Sequence, residues 1–206
     1  MSQISRRVFG VAGLALLLAT SASFAQQPPP VRVRGTVEGV DGSTLTVKSR
    51  DGQTHKIKLT DNATVRGIVK APLSDIKDNS FIGVTGMPQS DGSQKAVEIH
   101  IFPEVMRGTG EGHRPWDLVP NSTMTNATVA QMVKGVSGNE ITLKYKEGEK
   151  KIVVTPETVI VTYVSGDKSE LKPGAKIFIA GANKKEDGTL EAAAVSVGRD
   201  GITPPM

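Results

Sequence analysis

The chain of 206 residues contains no cysteine and few aromatic residues. Without cysteine there is no disulfide, no thiolate metal site and no thiol nucleophile, so stability must come from the apolar core alone. The aromatic residues are one Trp, two Tyr and five Phe. Surfaces that bind single-stranded nucleic acid interleave aromatic with basic side chains. The shortage of aromatics therefore argues against an oligonucleotide partner.

An excess of charge of one sign is also missing. The chain has 25 basic and 21 acidic residues, and removal of a leader with Arg6 and Arg7 leaves 23 basic residues. So small a balance disfavours a nucleic-acid or anionic-membrane surface. After the leader, no apolar run approaches the roughly 20 residues that span a bilayer. We therefore expect a soluble mature protein with no nucleic-acid partner and no membrane span.

The first 25 residues have the pattern of an export signal. Ser5 to Phe9 read Ser-Arg-Arg-Val-Phe, an uncharged apolar run follows from Val8 to Leu18, and Ser23 to Ala25 form a cleavage site. The arginine pair resembles the twin-arginine type of signal, which exports folded proteins. A general secretory signal that carries two arginines is the alternative, but several glycines and alanines make the run only mildly hydrophobic. Both alternatives predict a periplasmic protein.

Segments of the chain recur after 95 or 96 residues. The recurrence needs only one or two small gaps over most of the chain after the leader, which indicates an internal duplication. The matching segments are 37–42 with 133–138, 45–48 with 141–144, 74–77 with 169–172, and 91–92 with 187–188.

Each copy has the pattern of short β-strands. Apolar and polar residues alternate through Leu45 and Val47 and again through Ile57 and Leu59, so one face of each strand is expected to be buried. Asp-Gly pairs mark tight hairpin turns. We predict an all-β protein: two tandem five-stranded OB-like small barrels joined by an ordered insert. The predicted segments are a Pro-rich leader at 26–30, repeat 1 at 31–103, the insert at 104–126, repeat 2 at 127–198 and a tail at 199–206. The alignment of the two repeats predicts that Val37 is equivalent to Val133 and Leu45 to Ile141.

The motifs of the repeat resemble a known family. They run Gly-Thr-Val-x-x-Val-Asp-Gly-x-x-Leu-x-Val, then Ser-Asp-Ile-Lys or Ser-Glu-Leu-Lys-Pro-Gly, and then a late Asp-Gly. This order resembles the exported bacterial small β-barrel domains of unknown function. Together with the ending Gly-Arg-Asp-Gly-Ile-Thr-Pro-Pro-Met, the chain is similar to alphaproteobacterial exported proteins that carry the automatic label metal transporter permease. A permease needs several membrane spans, so the label conflicts with the expected soluble chain.

The insert at 104–126 has no counterpart in the repeat, and it contains the single Trp of the chain. A connection of this length without a secondary-structure pattern is usually functional or a linker. We expect it to be ordered and to carry the specific function of the chain. The candidate ligand-binding residues are Arg107, Glu111, His113, Arg114, Trp116 and Asp117.

Three interpretations of the insert remain open. In the first, Trp116 only fills a groove between the barrels while the arginines pair with Glu104 or Asp117. In the second, the insert binds a divalent metal ion, for which imidazole and carboxylate ligands suit Zn, Cu, Ni or Mn. In the third, arginines, His113 and glycine amides bind a phosphate or carboxylate. The metal candidates are His113, Glu111, Glu104, Asp117 and His100.

His100 lies on the last strand of repeat 1. Val97, Ile99 and Ile101 are expected to face inward, so Glu98 and His100 share the other face. That face is expected to be solvated.

The sequence contains no nucleophile motif, so we expect a binding module and not an enzyme. A hydrolase that uses Glu104 and Glu111, or a Ser/His/Asp set, is the catalytic alternative. The expected function is a soluble, exported, non-enzymatic binding or interaction module whose partner is a periplasmic protein or a small ligand. The alternative is a metal-handling protein that works beside a transporter, for which the cofactor is a divalent metal ion.

Overall fold

A computed structural model describes residues 29–135 and 138–206 of the chain. The predicted export signal lies outside this part. The described residues form twelve β-strands and three short 3-10 helices, so the predicted all-β class is confirmed. No described helix has the length and apolar character needed to cross a membrane. The strands are β1 Val31–Asp41, β2 Thr44–Ser49, β3 Thr54–Lys70, β4 Phe81–Pro88, β5 Gln94–Ile101, β6 Gly112–Pro115, β7 Thr123–Gly135, β8 Gly138–Tyr145, β9 Gly148–Val154, β10 Val159–Ser165, β11 Lys176–Lys184 and β12 Leu190–Gly198; the 3-10 helices are Leu73–Asp75, Glu104–Met106 and Lys168–Glu170.

Alternation of apolar and polar residues places the strands as predicted. In β2, Leu45 and Val47 are buried; in β3, Ile57, which lies opposite Leu45, and Leu59 are buried as well. A turn at Pro173-Gly174 precedes β11, and Gly174 has φ of +88°, a backbone conformation that favours glycine.

Five strands close into a barrel. Strand β1 pairs with β2, β2 with β3, and β11 with both β1 and β12, all antiparallel. A parallel pairing of β12 with β3 closes the ring. The interior is a continuous apolar core contributed by all five strands, with members such as Val37, Leu45, Ile57, Ile177 and Val195.

The other strands surround a second apolar core. They pair in the order β5-β4-β7-β8-β9, and β9 also contacts β5 through Gln94 opposite Ile152 and Lys95 opposite Val153. Strand β6 lies on β7, and β10 lies between β3 and β5. The second core includes Ile82, Ile99 and Ile141.

The prediction of two tandem barrels, each closed by its own repeat, is not confirmed. The closed barrel takes three strands from residues 31–103 and two from residues 127–198. Strand β3 continues past its pairing with β2 to Lys70 and there pairs with β10, and β4 begins beside β7. The places that β4 and β5 would occupy in the barrel are taken by β11 and β12.

The predicted equivalence of Leu45 and Ile141 agrees with the strand register, but that of Val37 and Val133 is wrong. Leu45 lies opposite Ile57, and Ile141 lies opposite Ile152. Val37 is 1% exposed and Val133 is 46% exposed. Val129, and not Val133, has the environment of Val37: it is 1% exposed and lies opposite Leu143, as Val37 lies opposite Val47.

Candidate functional site

A cavity of about 510 Å³ lies between the closed barrel and the other strands, where β3, β5, β10 and β12 meet. One part of its wall is apolar and aromatic, and another part is polar and positively charged. The volume is within the range of small-molecule sites, which are mostly apolar with a few polar groups. The apolar part of the wall includes Phe102, Met124, Trp116, Tyr163, Phe178 and Met206. The polar part includes Arg32, Arg66, His100, Arg114, Asn126 and Ser196.

Aromatic rings form one side of the cavity. The ring of Phe102 stacks on Tyr163 at 5.7 Å between centroids and meets His100 edge-on at 4.6 Å. Trp116 packs on the apolar cluster that contains Phe178 and Met206. Such arrangements stabilise the wall beyond the simple burial of area. The first interpretation of the insert, in which Trp116 fills a groove, is consistent with this packing.

Strand β5 presents Glu98 and His100 on the same face, as predicted, but the expectation that this face is solvated is wrong. Glu98 is 0% and His100 is 3% exposed. The face is covered by side chains from distant parts of the chain: the ring of Tyr163 in β10 lies 6.1 Å from the imidazole of His100 between centroids, and Asn126 of β7 lies beside the imidazole. A bulge leaves Val97 without a partner in β4, so Ala96 takes its expected place in the core with Ile99.

Glu98 orients the imidazole of His100. One carboxylate oxygen of Glu98 accepts a hydrogen bond from Thr85 Oγ1 at 3.1 Å, and the other lies 2.9 Å from Nδ1 of His100. Because a carboxylate only accepts, Nδ1 carries a proton, and in the neutral imidazole Nε2 then holds a lone pair. Burial, and next the charge of Glu98, raise the pKa of the Tyr163 hydroxyl well above its usual range.

Asn126 provides a second acceptor beside this imidazole. Its Nδ2 donates to the carbonyl of Thr109 at 2.9 Å, while its buried Oδ1 has no hydrogen-bond partner among the described residues. A Cβ placed on Gly83 would lie 2.1 Å from Nε2 of His100 and 2.6 Å from Oδ1 of Asn126. The missing side chain of Gly83 therefore leaves the space in which these two acceptors meet. We call this pair, Nε2 of His100 and Oδ1 of Asn126, the acceptor corner.

Arginines supply the positive charge. The guanidinium of Arg32 lies 4.1 Å from the centroid of the Trp116 ring and 3.3 Å from Asp117. Asp117 also accepts a hydrogen bond from Arg34 at 2.8 Å, and Arg34 donates to the backbone carbonyl of Met206. Burial acts to raise the pKa of Asp117, but the hydrogen bond and charge of Arg34, with the charge of Arg32, lower it overall. Asp117 is thus held as a carboxylate.

Two cavity arginines are not neutralised in this way. Within residues 29–135 and 138–206, neither Arg66 nor Arg114 takes part in an ion pair. Arg114 donates to the carbonyl of Gly110 at 2.7 Å and lies 5.4 Å from the centroid of the Trp116 ring. Burial, and next the charge of Arg32, lower the pKa of Arg114, although a guanidinium remains charged.

The structure divides the predicted ligand-binding residues between three places. Arg114 and Trp116 line the cavity. Asp117 lies at the edge of the cavity, where it pairs with the lining residue Arg32. Glu111 and His113 line a separate depression of about 330 Å³ with Tyr145 and Glu147, and Arg114 reaches this depression too. Arg107 pairs with Glu104 at 2.6 Å on the surface and donates to the carbonyl of Asn79.

The side chains of His113 and Arg114 are separated because side chains alternate between the two faces of β6. His113 lies opposite Thr125 of β7, and Arg114 lies opposite Met124, so successive side chains point to opposite faces. Nδ1 of His113 lies 2.8 Å from Oγ1 of Thr125. Burial, and next the charges of Lys150 and Arg114, lower the pKa of His113.

The five metal candidates are not brought together. His100 bonds to Glu98, Glu104 to Arg107, and Asp117 to arginines, while Glu111 and His113 lie on the other side of β6. In the part of the chain that the structure describes, no three His, Asp or Glu side chains form a group that could hold a metal ion. The geometry gives the metal interpretation no support.

Sequence reasoning missed most of the polar cavity wall. Arg66, Asn126 and Ser196 lie on three strands far apart in the chain, and no spacing in the sequence links them. Glu98 and His100 were placed on one face by alternation but were expected in solvent. The one signal that could have found this pair is a Glu-x-His on a strand with apolar neighbours on both sides.

Residues 34–100 match the family described as Domain of unknown function (DUF5666). The match covers less than half of the chain and runs from β1 to β5. It therefore includes three strands of the closed barrel and two strands that pair elsewhere. Comparison with curated proteins gave no match, and comparison with solved structures gave none either.

Proposed function

We propose that this chain is an exported, non-enzymatic binding module that takes a small organic molecule into the cavity between the closed barrel and the other strands. The observation that carries the proposal is the cavity itself, with aromatic walls and a polar end that holds both donors and acceptors. Sites for small molecules have this composition.

The polar groups support binding as the role. Glu98 keeps the lone pair of His100 Nε2 available as an acceptor, beside the unpartnered acceptor of Asn126. Two neighbouring acceptors are suited to hold one donor group of a ligand. Buried polar atoms without partners cost about 1–3 kcal/mol each, and a ligand that pairs with them recovers that free energy on binding.

Export remains part of the proposal. It is supported by the Ser-Arg-Arg-Val-Phe sequence at Ser5 to Phe9 and the apolar run that follows. These residues lie outside the described part of the chain.

We also propose that the two halves are duplicated copies that exchange strands. Strand β12 pairs with β3 so that Ser196 lies opposite Arg66, and β5 pairs with β10 so that His100 lies opposite Val161. The offsets from His100 to Ser196 and from Arg66 to Val161 are 96 and 95, the same as in the sequence repeat. Ile68 pairs with Tyr163, its own counterpart at an offset of 95. Equivalent pairings at the repeat offset support an internal two-fold relation.

The binding function is tested through Trp116, the single Trp of the chain. Because Trp116 lines the cavity, entry of a ligand must change its emission. We expect some members of a library of small organic acids, alcohols and amines to shift both this emission and the thermal midpoint of the purified protein. If no compound shifts either quantity, the proposal is wrong.

A further inference from the structure

We infer that the ligand of the cavity is a small organic acid with a hydroxyl group on the carbon next to its carboxylate and with an apolar, aromatic body. This inference rests on the binding function proposed above and specifies its ligand class. Four features of the cavity carry it: apolar walls, uncompensated positive charge, the acceptor corner, and the order of the polar groups.

The apolar walls require a ligand with an apolar body. Phe102, Tyr163, Phe178 and Met206 present rings and a thioether to a space of about 510 Å³. An inorganic anion would leave this surface uncovered. An aromatic body would gain roughly 25 cal/mol for each Å² of apolar surface removed from water.

The charge of the cavity requires an anion. Three arginines line it, and no described Asp or Glu does. Asp117 pairs with both Arg32 and Arg34 but supplies only one negative charge for the two, and Arg66 and Arg114 have no described carboxylate partner. A planar guanidinium binds a carboxylate through two parallel hydrogen bonds. The indole nitrogen of Trp116, buried and without a described partner, is a further donor.

The acceptor corner requires a donor on the same ligand. Nε2 of His100 and Oδ1 of Asn126 converge over Gly83, and Oδ1 has no partner among the described residues. A hydroxyl group satisfies this position. An ammonium group would also donate, but it would be held in a cavity that already contains three cationic side chains, and like charges repel.

The order of the polar groups places the carboxylate and the hydroxyl next to each other. A Cβ on Gly110 would lie 3.2 Å from Nη2 of Arg114 and 3.3 Å from Nδ2 of Asn126. Asn126 therefore lies between the guanidinium of Arg114 and the imidazole of His100. A carboxylate at Arg114 brings the neighbouring carbon, with its hydroxyl, to Asn126.

The test uses four probes that share one aromatic body. They are 3-phenyllactate, 3-phenylpropionate without the hydroxyl, 3-phenyl-1,2-propanediol without the carboxylate, and phenylalanine with an ammonium in place of the hydroxyl. Calorimetry on the full protein, with Trp116 emission as a second readout, gives each Kd. We expect 3-phenyllactate to bind tenfold to about a hundredfold more tightly than each of the others, because each lacks one hydrogen-bonded or charged group.

Two variants and one control assign the groups. Arg114→Gln should weaken both acids by at least about tenfold and leave the diol unchanged. Asn126→Ala should reduce the advantage of 3-phenyllactate over 3-phenylpropionate to within about twofold, with the thermal midpoint measured to confirm folding. Arg107→Gln is the matched control, because Arg107 pairs with Glu104 outside the cavity. It should change no Kd.

The outcomes separate the two proposals. Equal or tighter binding of the diol or of phenylalanine, or equal effects of Arg114→Gln and Arg107→Gln, would overturn the inference and leave the binding function standing. The inference is also overturned if library compounds bind while none of the four probes does. If neither the library nor the four probes change Trp116 emission or the thermal midpoint, the binding function itself is wrong.

Discussion

Gly83 lies directly opposite His100 in the ladder between β4 and β5, and the imidazole folds over the glycine. The close approach is possible only because Gly83 has no side chain. Strand glycines without such a neighbour have no comparable role: a Cβ on Gly39 would meet nothing nearer than Thr46 at 3.9 Å.

We predict that Gly83→Ala destabilises the protein by about 1–3 kcal/mol, the usual cost of overpacking. The added methyl group would overlap Nε2 of His100 and push the ring away from Glu98. Urea unfolding measures the change, and Gly39→Ala is the control, expected to stay within about 0.5 kcal/mol of the parent. Equal effects of the two substitutions would mean that the contact is unimportant.

The proposed exchange of strands between the two halves predicts in which half each core substitution increases hydrogen exchange. Ile177 of β11 packs in the closed barrel and lies opposite Gly35 of β1, whereas Ile82 of β4 lies opposite Ala127 of β7. Each isoleucine to alanine change should cost about 2–5 kcal/mol. Hydrogen exchange should then show Ile177→Ala loosening β1–β3 and Ile82→Ala loosening β7–β9.

The two variants serve as controls for each other, because the proposed duplication makes Ile82 and Ile177 counterparts at an offset of 95. In a protein with two tandem barrels the pattern would be reversed, and Ile177→Ala would loosen β7–β9. That result would contradict the exchange of strands.

The sequence predicts the strands better than their partners. Alternation at Leu45 and Val47 identifies a strand and its buried face, because side chains alternate with a period of two. The same rule cannot say which strand lies beside it. Strands β4 and β11 carry matching apolar residues at Ile82 and Ile177, so either could complete a barrel with β1. In the structure β3 continues to Lys70 and pairs with β10, and the alternation of residues does not encode this tertiary pairing.

The cavity was hidden for the same reason. Trp116 and Arg114 stand out in the sequence, since they lie in the unrepeated insert. The burial of Glu98 and His100 depends on which strands cover β5, and no local pattern encodes that cover. The sequence therefore pointed to the insert, and only three of the candidate residues, His100, Arg114 and Trp116, line the cavity.

His113 and Trp116 are predicted to differ in their effect on binding. Trp116→Ala removes part of the cavity wall and should cost about 3 kcal/mol in stability, at the lower end for large aromatic truncations because Trp116 is only partly buried. It should also abolish ligand uptake measured by calorimetry. His113→Ala removes one hydrogen bond to Thr125 and should cost about 1 kcal/mol without changing uptake. Loss of uptake in His113→Ala would instead place the site in the depression that Glu111 and His113 line.

The pKa of His113 predicts a pH dependence of stability. Burial and the charges of Lys150 and Arg114 lower the pKa of His113 in the folded state below its ordinary value of 6.5. The unfolded state therefore binds a proton more readily, so the free energy of unfolding should fall as the pH drops through 6.5 and level off below the folded pKa. Urea unfolding at pH 7.5 and pH 5.5 measures this loss. In His113→Gln the loss should be smaller, and an unchanged pH dependence would show that other groups cause it.

The arginine pair predicts the route of export. If the signal is of the twin-arginine type, replacing Arg6 and Arg7 together by lysine should leave the precursor in the cytoplasm, because the route recognises the guanidinium pair and not positive charge alone. Cell fractionation with an antibody against the chain measures the distribution. The control is the same chain with residues 1–25 replaced by a general secretory signal, which should be exported without the pair. Normal periplasmic accumulation of the double lysine variant would indicate that the native leader uses the general secretory route, since that route needs only a basic start and an apolar run.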